Sequence, residues 1–136
     1  MNNTQQTLSI IKPDAVERNF ENKIKDIFIN KGFKIIKEKK IKLSKAEAEE
    51  FYKVHETKPF YNDLCAYLSS GPIVVMILEK EDAILANRKL MGATNPLKAE
   101  EGTIRKKYGI SIDKNSVHGS DSIENARIEI NFFFKD

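Results

Sequence analysis

Apolar and polar residues alternate through Thr7-Leu8-Ser9-Ile10-Ile11-Lys12 and stop at Pro13. That spacing predicts a strand ending where a proline can no longer donate to a ladder. Ile24, Ile27, Phe28 and Lys31 then recur at helical spacing, and Gly32 is placed to end that helix. Phe33, Ile35, Ile41 and Leu43 share one parity, which predicts a second strand with a long lysine-rich outer face. Ser44-Lys45-Ala46-Glu47 has the capping-box pattern and opens a helix carrying Phe51 and Tyr52. Another short helix is predicted from about Tyr61 to Leu68, before the turn signal Ser70-Gly71-Pro72.

Ile73-Val74-Val75-Met76-Ile77-Leu78 is an unbroken apolar run, predicted to be a central strand buried on both faces. Asp82 is placed to cap a helix that reaches Met91, with Gly92 behind it. From Gly92 to Val117 the pattern is irregular apart from one helical turn at Ile104 to Tyr108, and a short fourth strand leads into His118. Ile123, Ala126, Ile130 and Phe133 or Phe134 mark one face of a final helix. The predicted class is therefore α+β, in the ferredoxin-like order βαββαβ. It has a four-stranded antiparallel sheet covered by helices, and a helical pair inserted between strands two and three. Residues 1–136 are read as one domain. The long irregular stretch is unusual within such a domain and is expected to carry function.

Apolar residues make up 40% and charged residues 32%, a globular balance. No apolar stretch reaches the ~20 residues of a membrane helix, and Met1 to Gln6 lacks the regions of a signal peptide. Cys65 is the only cysteine, so no intrachain disulfide can form, and a cytoplasmic location is expected. Paired cysteines of a structural zinc site are missing too. The net charge of +3 is modest, and the basic run from Lys34 to Lys45 is interrupted by apolar residues as a solvated strand face would be. Arginine is used only at 18, 88, 105 and 127 in a chain that otherwise prefers lysine.

The candidate chemistry centres on Asn115-Ser116-Val117-His118-Gly119-Ser120-Asp121-Ser122. Neutral imidazole is a nucleophile near pH 7. Gly119 would let substrate and backbone approach closely. Ser120, Asp121 and Ser122 are good helix caps, so N–H donors suited to an anion are expected nearby. On local context alone, a histidine in a short strand is more commonly structural than catalytic. The chain has neither a Walker P-loop nor G-x-G-x-x-G. Bound phosphates would therefore need cations, hydroxyls and a metal instead of a glycine cradle. Arg88, Thr94-Asn95-Pro96, Gly102-Thr103-Ile104-Arg105, Asn115 and His118 supply candidates.

These segments, together with Lys12-Pro13-Asp14, Tyr52, Pro59-Phe60, Ser70-Gly71-Pro72 and Met91-Gly92-Ala93, occur in the order and spacing of the nucleoside diphosphate kinases. The chain resembles that family from about Thr7 to Phe134. The resemblance implies transfer of the γ-phosphate of a nucleoside triphosphate to a nucleoside diphosphate, with broad base and sugar specificity. The transfer would be ping-pong, through a phosphohistidine at His118. It implies Glu129 as the acceptor orienting the imidazole, with Ser120 supporting it. Lys12 would serve the ribose and the transferred phosphoryl group, and Tyr52 would approach that group beside His118. Arg88, Arg105 and Thr94 would hold phosphates, and Asn115 a ribose hydroxyl. Phe60 and Ile112 would sandwich the base, with Leu64 beside them and His55 as an accessory phosphate contact. Magnesium is implied through the nucleotide phosphates rather than protein ligands, with Asp121 reaching it through water. A homo-oligomer, tetramer or hexamer, is the family expectation, with no membrane and no required nucleic acid. Ala15, Lys58 and Val117 depart from common family usage without touching these roles.

Two other readings use the same residues. A ferredoxin-like sheet, a pI near 8.9 and the lysine-rich run are compatible with a nucleic-acid-binding module, although no aromatic RNA-recognition signature is present. A phosphohistidine relay to a protein partner would keep His118 but would not need Phe60, Arg88 and Thr94 together.

Overall fold

In the computed structural model, which describes residues 4–112 and 114–134, β1 (Thr4–Ile11) pairs along its whole length with β3 (Ile73–Glu81). β2 (Lys34–Ile41) lies on the far side of β3, and β4 (Val117–Gly119) on the far side of β1. The sheet order is β2-β3-β1-β4, and all neighbours are antiparallel. This is the predicted ferredoxin-like arrangement. The helices are α1 (Pro13–Glu17), α2 (Glu21–Asn30), α3 (Lys45–Phe51), α4 (Tyr61–Leu68), α5 (Ala83–Met91), α6 (Ile104–Tyr108) and α7 (Ile123–Phe133). Helices α3 and α4 are the inserted pair, joined by a 3₁₀ turn at Lys53–His55.

Each face of the sheet has its own core. On one, Ile11, Val74, Met76, Leu78 and Val117 pack with Ile24 and Phe28 of α2 and with Ala83 and Met91 of α5. On the other, Leu8, Ile10, Ile73 and Val75 pack with Ala48, Tyr52, Cys65, Leu68 and Phe133. The Ile73–Leu78 run is buried throughout because β3 is central and covered on both sides.

Local signals are realised closely. Ser44 and Glu47 form both bonds of the capping box, at 3.1 and 2.9 Å. Gly32 takes φ +90° just beyond α2, a conformation that a Cβ would disfavour.

β1 ends before Pro13 as expected, and that proline opens α1 at a position whose missing N–H costs nothing. Two expectations need correction. Phe33, Ile35, Ile41 and Leu43 do not share one face, because the register of β2 shifts between Ile35 and Lys37. Ile35 lies opposite Leu78 and joins the first core, whereas Ile41 lies opposite Ile73 and joins the second. Asp82 occupies the cap position of α5 with φ 52° but makes no side-chain cap bond, and Gln5 Oε1 accepts from Ile84 N at 3.3 Å instead. Ile123, Ala126 and Ile130 lie along one face of α7 as expected, with Ile123 exposed at its start and Ala126 and Phe133 buried.

Candidate active site

His118 stands opposite Ile10, so alternation along β4 turns it toward the face that α3 and α7 cover. Its Nε2 lies 3.2 and 3.3 Å from the two carboxylate oxygens of Glu129 on α7. Ser120 Oγ donates to Glu129 Oε1 at 2.7 Å and accepts from Leu8 N at 3.2 Å. Ser120 N also donates to Leu8 O at 3.2 Å. The carboxylate is thus fixed to the sheet edge through one buried serine, and the imidazole is fixed to the carboxylate. The start of α7 is capped by Ser122, whose hydroxyl accepts from Asn125 N at 3.0 Å.

Phe51, at the end of α3, meets the His118 ring edge-on with centroids 5.6 Å apart. From there a line of rings runs through Tyr52 and His55 to Phe60, at 5.0, 6.2 and 6.0 Å. Tyr52 is buried, and burial first, then the Glu129 carboxylate, raises its phenol well above the ordinary range. It remains a neutral hydrogen-bond donor at any working pH. Phe60 is 48% exposed and Ile112 is 55% exposed, while Leu64 is half-buried against the second core.

Lys12 leaves β1 at the cap position of α1, and its Nζ donates to Asn115 Oδ1 at 3.0 Å. Asn115 Nδ2 in turn donates to Thr94 O at 3.1 Å, which ties the irregular segment to the sheet. Arg105 on α6 is nearly buried. Its Nη1 donates to Gly92 O and its Nη2 to Val117 O, each at 3.0 Å. Burial, and then the charge of Arg88, lower its pKa from the ordinary guanidinium range to about 10. A buried guanidinium with a second cation acting on it favours an anion nearby. Arg88 and Thr94 are exposed.

The expected role of Gly119 is displaced by a packing role. A Cβ at that position would overlap Asn87 Nδ2 and come within 2.9 Å of Met91 Cε, so the glycine admits α5 against β4. Sequence reasoning did not single out Phe51 as a wall for His118, Leu8 as the anchor of Ser120, or the buried contacts of Asp14. Phe51 carried a signal in its place beside Tyr52 on a capped helix, but backbone partners leave none.

A family model described as nucleoside diphosphate kinase matches residues 5–136. A nucleoside diphosphate kinase of Geotalea uraniireducens is 59% identical over 130 residues, covering 96% of this chain and 95% of that protein. One from Campylobacter concisus is 60% identical over 130 residues, with the same coverage of 96% and 95%. Among solved structures, the Aquifex aeolicus nucleoside diphosphate kinase superposes with a TM-score of 0.94 at 42% identity, covering 96% of this chain and 95% of that one. The apo enzyme from Encephalitozoon cuniculi does so at 0.93 and 36% identity, over 97% and 90% of the two chains.

Proposed function

Since the chain belongs to the nucleoside diphosphate kinase family, a family of phosphotransferases, we propose that His118 carries the phosphoryl group between two nucleotides bound in turn at one site. The observation that carries this assignment is the Ser120–Glu129–His118 relay. A carboxylate accepting from Nε2–H selects the tautomer with its lone pair on Nδ1. That lone pair attacks the terminal phosphorus of a nucleoside triphosphate. The N–P bond forms as the bond to the bridging oxygen breaks, and the diphosphate leaves with the electron pair. Glu129 balances the positive charge that develops on the ring. A terminal oxygen of a second diphosphate then attacks the same phosphorus and restores the neutral imidazole.

Phosphoryl transfer depends on positioning and charge stabilisation. Lys12, steadied by Asn115, and the Arg88–Arg105 pair are assigned to the phosphate oxygens. Arg105 has two N–H groups committed to backbone carbonyls and further donors to offer. Thr94 and the Tyr52 hydroxyl are assigned as neutral donors. Phe60 and Ile112 are assigned to the base, with Leu64 behind, and Asn115 to the ribose. Apolar stacking scarcely distinguishes one base from another, which accounts for broad specificity.

Among the described residues no group of three or more His, Cys, Asp or Glu side chains is placed to hold a metal ion. The cationic and hydroxylic donor set fits magnesium that arrives on the nucleotide, with Asp121 approaching through water. Magnesium bound in this way neutralises charge on the phosphate oxygens.

We assign residues 1–136 to one domain, since both cores share one sheet. No helix among the described residues is long and apolar enough to cross a membrane. The lone Cys65 supports a cytoplasmic setting. The open outer edge of β2 supports a homo-oligomer, tetramer or hexamer, which light scattering would size.

Incubation with γ-labelled ATP tests the central assignment. The wild-type chain is expected to acquire acid-labile, alkali-stable phosphate, and His118→Ala to acquire none. Equal labelling of the two proteins overturns it.

A further inference from the structure

β4 is three residues long, its ladder covers Ser9–Ile11, and backbone bonds from Ser120 N to Leu8 O and from Lys12 N to Ser116 O continue it at its two ends. So short a ladder leaves its phase to the contacts at those ends, and the phase is decisive. His118 lies opposite Ile10 on the face of Glu129, and Val117 lies opposite Ile11 in the other core. A slip of one residue would exchange them and bury the imidazole among the apolar side chains of α2 and α5.

The residue before β4 has an unusual backbone. Ser116 is fully buried and has φ +75°, although it is not glycine. Val117 N donates to Asn115 O across it at 2.9 Å. Ser116 is therefore the middle of a γ-turn in its rare positive-φ form, which is strained for any residue with a Cβ.

Contacts on both sides hold the turn. Lys12 N donates to Ser116 O at 2.8 Å, and on the cleft side Lys12 Nζ donates to Asn115 Oδ1 at 3.0 Å. On the core side Ser116 Oγ donates to Asp14 Oδ2 at 2.9 Å. Asp14 cannot follow if the turn relaxes. Its carboxylate is bound by Arg18 Nη2 at 3.1 Å and by the Tyr67 hydroxyl, and its own N–H donates back to that hydroxyl at 2.8 Å.

We propose that Ser116 is a positioning residue for His118. Its hydroxyl, donated to a carboxylate immobilised between α1 and α4, holds the strained turn that sets the phase of β4 and keeps the imidazole on Glu129. The proposal rests on His118 being the phosphoryl carrier. Alanine at this position retains the Cβ strain and loses the anchor. Glycine loses the anchor but adopts positive φ freely.

The test measures phosphoenzyme formation by quenched flow with labelled ATP, steady-state kcat and KM for the diphosphate, and thermal melting, on full-length wild type, Ser116→Ala and Ser116→Gly. The alanine variant is expected to form phosphoenzyme about tenfold or more slowly, the scale of one hydrogen bond to a charged acceptor. Its KM should stay within about twofold, since the defect lies in aiming the nucleophile and not in holding the nucleotide. The glycine variant should recover part of the rate. A serine that only supports the fold would lower the melting temperature of both variants and leave phosphorylation at the wild-type rate below that temperature, which overturns the proposal. Should the alanine variant fail to fold, glycine decides alone. A wild-type rate overturns the assignment, and a reduced rate at unchanged KM supports it. Failure of the underlying reading is distinct, for then the wild-type protein itself carries no acid-labile phosphate.

Discussion

A methyl group at Gly119 would strike the Asn87 amide and the Met91 thioether, both presented by α5. Gly119→Ala is therefore expected to cost ~1–3 kcal/mol through overpacking, read as a lower midpoint in urea unfolding. Asn87→Ala added to it should restore most of the loss. It clears the overlap, and it removes an amide that is fully buried with neither polar atom paired. Additive losses in the double variant would overturn this account. The same residue marks a boundary of local reasoning. A glycine beside a candidate nucleophile suggests room for substrate, whereas the neighbour that needs the room is a helix far away in the chain. His118, Lys12 and Asn115 could be singled out from the motifs that carry them, and the structure joins the last two through a hydrogen bond. Leu8 could not be, since it contributes a backbone N–H that no residue type announces.

Elements whose signals are local appear where the pattern places them. The capping box at Ser44, the helix over Tyr61–Leu68 and the buried run of β3 each depend on a few neighbouring residues. β2 differs because parity along a strand predicts a face only while the ladder is regular. The register shift between Ile35 and Lys37 sends the two halves to opposite cores. Deletion of Ile36 removes the one residue of β2 without a partner and leaves Ile35 opposite Leu78 and Ile41 opposite Ile73, so the urea midpoint should change little. Deletion of both Ile36 and Lys37 should instead force one half onto the wrong face and cost at least ~2–3 kcal/mol, measurable as a fall in the urea midpoint. Equal losses in the two variants would overturn this account.

Across the whole molecule, the site carries electrostatic strain that its substrate would relieve. Arg105 is held near pKa 10 by burial and by Arg88. The unfolded guanidinium binds its proton more tightly, so this contribution to stability rises with pH only above about 10. At neutral pH the group is charged and the full cost is present. Arg88→Ala should therefore raise the melting temperature of the nucleotide-free protein slightly at pH 7, since Arg88 is exposed and its repulsion is screened. It should also reduce the stabilisation gained on adding nucleoside diphosphate, through weaker binding. Scanning calorimetry with and without the diphosphate checks both, and a lower melting temperature without nucleotide would contradict the repulsion. The amino-acid order alone determined the element types, the α+β class and the residue kinds able to handle phosphate, because periodicity, caps and side-chain chemistry act over a few residues. Tertiary structure alone decided the phase of β2 and β4, the reason for Gly119, and the relay from Leu8 through Ser120 and Glu129 to His118. Each of those depends on which distant backbone and side-chain atoms are brought together when the sheet closes.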